Sequence, residues 1–317
     1  MSSETGTQPA APTGSASSSI DLESVRTIAK KDFQDAVRSW LFWGLSVFFF
    51  ALMAGLAGIL AWISPDGFTT IDFISTVSSV AKLVIPLIAL ILGWKAIAGE
   101  RETGSIKVLL SLPHSRRDVI LGKLLGRTAV LSLSLIIGLL IAMVAVAFAV
   151  TEFSFPAYMA FLVLTILYGL AYMSIAISLS SLTRSTTIAG AAMFGVFVVF
   201  YIVWNSIQTA LRLLMNRGYI EGVAYTMSGP GGGQLEFTRL PSWAQFINML
   251  DPGNAYQNTI TIFSEISGDQ IGTTVREVAY PNGIPFFLQD WFSFIILLFW
   301  IVVPITIALF WFDRVDI

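Results

Sequence analysis

Apolar residues in this chain come in long runs, not in alternating or strictly amphipathic patterns. Six runs stand out, at about 41–63, 74–98, 124–150, 157–180, 187–211 and 291–312. A hydrocarbon core about 30 Å thick needs roughly 20 apolar residues at 1.5 Å each, so every run is long enough to cross a membrane. Lipid offers unpaired backbone groups no partner, which makes helices the economical reading. A transmembrane β-barrel would show ten-residue alternating segments, and none appear. The pattern predicts an all-α membrane protein of six transmembrane helices. Ahead of them, Leu22, Val25, Ala29, Phe33, Ala36 and Trp40 recur at helical spacing, with Arg26, Lys30, Lys31 and Asp35 on other faces. Residues 20–40 thus read as an amphipathic helix lying at the membrane interface, or as a helical extension of the first span; Ser18 or Ser19 is its expected cap.

Charge orients the bundle. Basic residues precede the first span (Arg26, Lys30, Lys31, Arg38), and the loop after it has Asp66 and Asp72 but no Lys or Arg. The loop after the second span gathers Arg101, Lys107, Arg116, Arg117, Lys123 and Arg127. Glu152 sits in the next loop, Arg184 follows the fourth span, and Arg314 follows the sixth. The positive-inside rule then places both termini in the cytoplasm of a multi-pass cell-membrane protein, with 212–290 as a long extracellular loop. Residues 1–19, rich in Ser, Thr, Ala, Gly and Pro, read as a disordered cytoplasmic tail, and 20–317 as one transmembrane domain. In the outer loop, Ser228–Gln234 reads as a flexible turn. Leu240–Phe263, broken at Asp251-Pro252-Gly253, reads as two short helices against the outer membrane face.

Composition narrows the chemistry. The chain is 55% hydrophobic and 12% charged, with a net charge of −2 and a mean hydropathy of +0.77. It has no cysteine and one histidine, His114, so disulfides, thiolate nucleophiles and His/Cys metal centres are excluded. An intramembrane serine protease needs a base near its serine, but His114 falls in a loop; an aspartyl protease needs paired intramembrane aspartates, and no run holds one. Around Gly122-Lys123, Leu124 and Arg117 stand where a phosphate-binding loop needs a hydroxyl residue and its first glycine. No cofactor or metal is expected on this chain, and no nucleic-acid partner.

The loop 99–123 carries the most specific pattern. Gly104 and Ser105 break the chain after the second span. Ile106 to Leu112 can form a short helix with Ile106, Leu109 and Leu110 on one side, and Pro113 stops it. Ser115 can cap a helix that starts at Arg116 and leads into the third span. A short apolar-faced helix flanked by charge suits docking into a groove on a soluble partner; the plainer alternative is a solvated basic loop required by topology.

That loop resembles the first cytoplasmic loop of the ABC-2 permease family, the membrane subunits of certain ABC transporters. The matching residues are Glu102, Gly104-Ser105-Ile106, Val108-Leu109-Leu110, Ser111-Leu112-Pro113, Arg116-Arg117 and Gly122-Lys123; the span order, the long loop before the last span and the ending "FDRVDI" also fit. The "DPGNAYQ" element resembles the permeases of copper-processing, nitrous-oxide-reductase-maturation type. The resemblance implies an exporter fold whose loop is a coupling helix, with Glu100, Glu102, Gly104, Ile106, Leu109, Leu110, Pro113, Arg116 and Arg117 facing an ATP-binding subunit. It implies two copies of that ATPase, holding the ATP and Mg, and a second permease subunit forming a homo- or heterodimer. An ATP-independent channel or scaffold is the alternative, and it leaves the loop unexplained.

Two polar stripes are candidates for a pathway. Ser75, Ser78, Ser79 and Lys82 share a face of the second span, and Tyr201, Asn205, Gln208, Thr209 and Arg212 share one of the fifth. Polar groups inside a membrane usually face a bundle interior. Equally, Lys82 can snorkel outward and Asn205–Arg212 can be the frayed end of a span. Pro86, four residues past Lys82, frees the Lys82 carbonyl and kinks the helix.

Overall fold

The computed structural model of the chain describes residues 20–106, 115–228, 233–266, 278–312 and 314. Helix α1 (Leu22–Val37) precedes α2 (Trp40–Ile63) and α3 (Thr70–Trp94). A short α4 (Ala98–Glu102) follows, then α5 (Arg116–Ala149) and α6 (Phe155–Leu182). Helices α7 (Thr186–Val198) and α8 (Trp204–Asn216) form one rod through a π-helical turn at Val199–Val203. The antiparallel strands β1 (Val223–Ser228) and β2 (Gln234–Arg239) come next, with Val223 opposite Arg239. Helices α9 (Ser242–Met249), α10 (Pro252–Ile266) and α11 (Asp290–Phe312) complete the described elements. Six of these helical stretches (α2, α3, α5, α6, the α7–α8 rod and α11) are long and apolar enough to cross a membrane.

Short polar residues start the helices where the chain turns. Thr69 with Asp72 and Ser115 with Asp118 each form a reciprocal capping box, opening α3 and α5. Ser154 caps α6, with Pro156 in its first turn, where proline's missing N–H costs nothing. Asp21, whose carboxylate accepts the Glu23 and Ser24 N–H groups, caps α1. The expected caps Ser18 and Ser19 lie outside the described residues.

Burial is uneven. In the most apolar stretch of each, 72% of α6 is buried but only 11% of the α7–α8 rod, so α6 is the axis of the bundle. It packs against α3, α5 and α11, while α5 also carries α1 and α2. Glycines on α5 allow that close approach: a Cβ at Gly122 would meet Ile28 Cβ at 2.7 Å, and one at Gly126 would meet Asp32 Cβ at 2.9 Å. This small-xxx-small spacing lets two helices touch along their backbones. The buried face of α1 is therefore Ser24, Val25, Ile28 and Asp32, and Leu22 and Trp40 of the expected apolar face are exposed.

Two features at the far end depart from expectation. The segment around the glycine-rich turn is a β-hairpin; residues 229–232 of the turn lie outside the described residues. The chain does break at Asp251-Pro252-Gly253, but α10 does not lie across a face. It docks against α11, α6 and α3, because Ala255, Tyr256, Thr259 and Ile260 form a buried stripe along it.

Candidate functional site: two buried charged clusters

At one end, α1, α4 and the start of α5 converge on Lys123. Its Nζ lies 2.6 Å from Glu100 Oε1 and 3.1 Å from Asp32 Oδ1. Arg127, one turn on, brings Nε to 3.0 Å from Asp32 Oδ2, close in charge but not aligned as a hydrogen bond. Lys123 and Asp32 are both at least nine-tenths buried. Low dielectric makes such a cluster strong when complete and costly when broken. Asp118, buried at the start of α5, accepts the Asp21 N–H at 3.0 Å, so α1 is fastened at both its cap and its middle.

The same end fixes the approach to the 99–123 loop. Ser180 of α6, wholly buried, accepts the Ile97 and Ala98 N–H groups at 3.1 and 3.0 Å and donates to the Trp94 carbonyl. That stitches the break between α3 and α4. Arg101 donates to the Ser181 carbonyl at 2.8 Å, and Arg116 donates to the Phe312 carbonyl at 3.2 Å. The loop is therefore welded at both ends to the helices that cross the bundle.

The predicted coupling residues fall into three groups. Leu109, Leu110 and Pro113, with the helix expected through Leu112, lie outside the described residues. Glu100, Arg116 and Arg117 are half-buried at the loop's two roots, and Gly104 takes a φ of 76°, a left-handed turn that favours glycine. Ile106 is 1% exposed within the main core, so it anchors the loop to its own chain instead of facing a partner. Glu102 is exposed and accepts the Thr186 N–H at 2.8 Å. It thus answers the positive end of α7.

Halfway along α3, Lys82 meets the junction between α9 and α10. Its Nζ lies 3.5 Å from Asp251 Oδ2 and donates to Asn254 Oδ1. Asp251 is 1% exposed; the Asn254 N–H donates to its Oδ2 at 2.8 Å, while its Oδ1 has no hydrogen-bond partner among the described residues. Burial pushes the Asp251 carboxyl above its ordinary value, against the pull of Lys82 and the Asn254 and Gly253 N–H groups. The Lys82 carbonyl freed by Pro86 accepts from the Tyr168 hydroxyl at 2.9 Å. Tyr168 stacks on Tyr256 of α10 with ring centroids 4.5 Å apart, and the Tyr256 hydroxyl pairs with Thr165 at 2.8 Å.

The two polar stripes meet only in part. Lys82 and Tyr201 line one cleft with Tyr168, Tyr172 and Asp251, with a volume of about 10 Å³, room for hardly one water. Ser79 accepts from Gln257 of α10 at 3.2 Å, Ser78 is buried and bonded to the Ser75 carbonyl, and Ser75 is exposed. Asn205 and Thr209 are exposed and bond back along their own helix. Gln208 and Arg212 line a separate, larger cavity. Among the described residues, no group of three or more His, Asp or Glu is placed to hold a metal.

None of Asp32, Lys123, Arg127 and Asp251 is among the site residues the sequence proposes, although Lys123 belongs to the loop pattern and Asp251 to the chain break. Signals existed: Lys123 and Arg127 sit four apart beside the two close-approach glycines, and a lone lysine in a span demands an acid somewhere.

Six helices long and apolar enough to cross a membrane, with a basic loop rooted in them, define a multi-pass helical membrane protein. The ABC-2 family transporter model matches residues 26–317, and the chain belongs to that family as a permease subunit of an ABC transporter. It is 32% identical over 199 residues to the probable ABC transporter permease protein NosY of Stutzerimonas stutzeri, covering 61% of this chain and 72% of that one. It is 30% identical over 203 residues to the probable ABC transporter permease protein NosY of Pseudomonas aeruginosa, covering 62% and 74%. Membership implies an ATP-binding partner subunit.

Proposed function

We propose that this permease moves a substrate outward across the cell membrane, driven by ATP hydrolysed on separate subunits that dock at the Lys123 end. The observation that carries this reading is the rooting of loop 99–123. Glu100, Arg101 and Arg116 tie it to α5, α6 and α11 at once, so a push on the loop reaches helices that cross the whole bundle. A loop serving only topology needs charge but not these ties. The charge asymmetry puts this end in the cytoplasm, with both termini, and the hairpin end outside.

The nearly bare α7–α8 rod supports a dimer. Most of its apolar surface has no partner within the chain, and a second permease subunit, identical or related, would cover it. Two ATPase subunits, with ATP and Mg held between them, would then serve one dimer. Tyr201, Asn205 and Thr209 lie on that rod, so the dimer seam would also be the lining of the path, with Ser75 near its outer mouth and Lys82 halfway along α3.

Leu109→Asp tests the reading. The variant places a charge where the loop's apolar face would be covered, so the ATPase subunit should no longer co-purify while the permease still inserts and dimerises. If the ATPase remains bound and transport continues, the loop is only a topological anchor and the reading fails.

A further inference from the structure

At the hairpin end, α8, β2, α9 and the start of α10 enclose a cavity of about 540 Å³ that the transport reading leaves unused. That is the size of a small-ligand site. Its lining mixes apolar residues, Met215, Leu240 and Met249, with the polar Gln208, Arg212 and Arg239.

Some donors among these polar residues meet no acceptor among the described residues. Gln208 is 8% exposed, and its buried Nε2 has no hydrogen-bond partner. Arg212, one turn further along α8, makes no hydrogen bond or ion pair with a described residue. Arg239 is held flat on Tyr280, 3.8 Å from the ring centre, by bonds from Nε and Nη1 to the Ala279 and Leu240 carbonyls. Those bonds fix the guanidinium, and its other N–H groups meet no acceptor among the described residues. Among the described lining residues there is no Asp or Glu. A buried amide donor left unsatisfied beside two guanidinium groups is a site arranged for negative charge.

We propose that this cavity binds a small amphipathic organic anion, a carboxylate or a comparable acid with an apolar body. Its charge is met by Gln208, Arg212 and Arg239, and its body lies on Met215, Leu240 and Met249. The proposal is independent of transport direction and of ATP coupling. Occupancy has a route to the bundle: Asn248, also on the cavity wall, accepts from Asn254 Nδ2 at 2.7 Å, and Asn254 Oδ1 accepts from Lys82.

The test is fluorine NMR of para-trifluoromethylbenzoate with the purified protein in phosphatidylcholine nanodiscs. The matching neutral benzamide and cationic benzylammonium serve as controls. Saturable binding of the benzoate alone is expected. Arg212→Gln and Gln208→Leu should each weaken it about tenfold, the scale of one lost charge-assisted or buried hydrogen bond, without moving the unfolding temperature. Arg212→Lys should keep most of the affinity. Adding phosphatidylglycerol separates sources of the anion: competition lost in Arg212→Gln identifies a lipid headgroup, and unchanged benzoate binding identifies a free solute. The proposal is overturned if the three probes bind alike, if the benzoate shows no saturation up to about 10 mM, or if both variants bind it as the parent does.

Discussion

Two lysines are buried against acid, Lys123 at one end of the bundle and Lys82 halfway along α3, yet the two clusters are built differently. Lys123 is held by two carboxylates from two other elements, with Arg127 closing the set, so α1, α4 and α5 are fastened at one point. Lys82 faces one carboxylate, Asp251 just before α10, and one amide, Asn254 in its first turn. The first arrangement locks several helices together; the second joins a crossing helix to a docked segment that has few other polar ties to it. A buried multi-charge node resists motion, while a single pair can be exchanged for another anion or for water at lower cost. The contrast assigns rigidity to the Lys123 cluster and adjustability to the Lys82 pair.

The largest effect should follow from Lys123→Met. It leaves Asp32 and Glu100 facing each other with no cation but Arg127, and breaking a buried pair costs ~3–5 kcal/mol. The expected outcome is a steep fall in unfolding temperature and yield, measured by thermal unfolding in detergent. Lys82→Met should cost less, nearer ~3 kcal/mol, because Asp251 keeps the Asn254 N–H. Its loss should appear as faster proteolysis of the α9–α10 segment while the rest of the bundle stays intact. A larger global loss for Lys82→Met than for Lys123→Met would reverse the comparison.

The two clusters also differ in how far the sequence revealed them. The six apolar runs announced the crossing helices because lipid enforces length and hydropathy on a contiguous segment. The cap Ser115, and Pro86 four residues past Lys82, are legible because cap and kink chemistry acts over three or four residues. The Lys82–Asp251 pair spans most of the chain, and no local rule matches a lysine in one span to an acid in a distant loop. Asp32 was hidden differently. On α1 it looked like one more polar residue, and only the glycines of α5, by admitting α1 so closely, turn it inward. The hairpin was missed because the glycine-rich turn was read without its flanks, although "VAYTMS" and "QLEFTR" carry strand-forming residues on either side of it.

A smaller effect should appear with pH at the adjustable pair. Asp251 lies outside the spans, and burial raises its carboxyl above the ordinary 3.8. A raised value means the folded state holds the proton more tightly than the unfolded chain. The protonated form therefore contributes stability that is present at low pH and lost as pH rises through the folded value. Unfolding temperature should fall across the range just above 3.8 more steeply in the parent than in Asp251→Asn, which cannot titrate. Identical profiles would place the carboxyl in full contact with water and remove the buried pair from the comparison.

The smallest effect separates two glutamates of α4 that sit two residues apart. Glu100 turns inward to Lys123 at 2.6 Å, whereas Glu102 stays exposed and reaches the Thr186 N–H at the start of α7. Ser185, the residue before α7, makes no side-chain cap, so Glu102 is the side chain that answers this helix start. Water can replace an exposed carboxylate there, and the helix-end interaction is confined to the first turn and screened by salt. Glu102→Ala should therefore leave the unfolding temperature unchanged and lower substrate-stimulated ATPase activity of the complex at most about fivefold, less at high salt. Glu100→Ala should instead follow Lys123→Met in direction, because it strips one of two acids from a buried lysine. If Glu102→Ala proves as destabilising as Glu100→Ala, the exposed contact is part of the rigid node, and the boundary drawn between the fastened loop root and its solvent-facing side is in the wrong place.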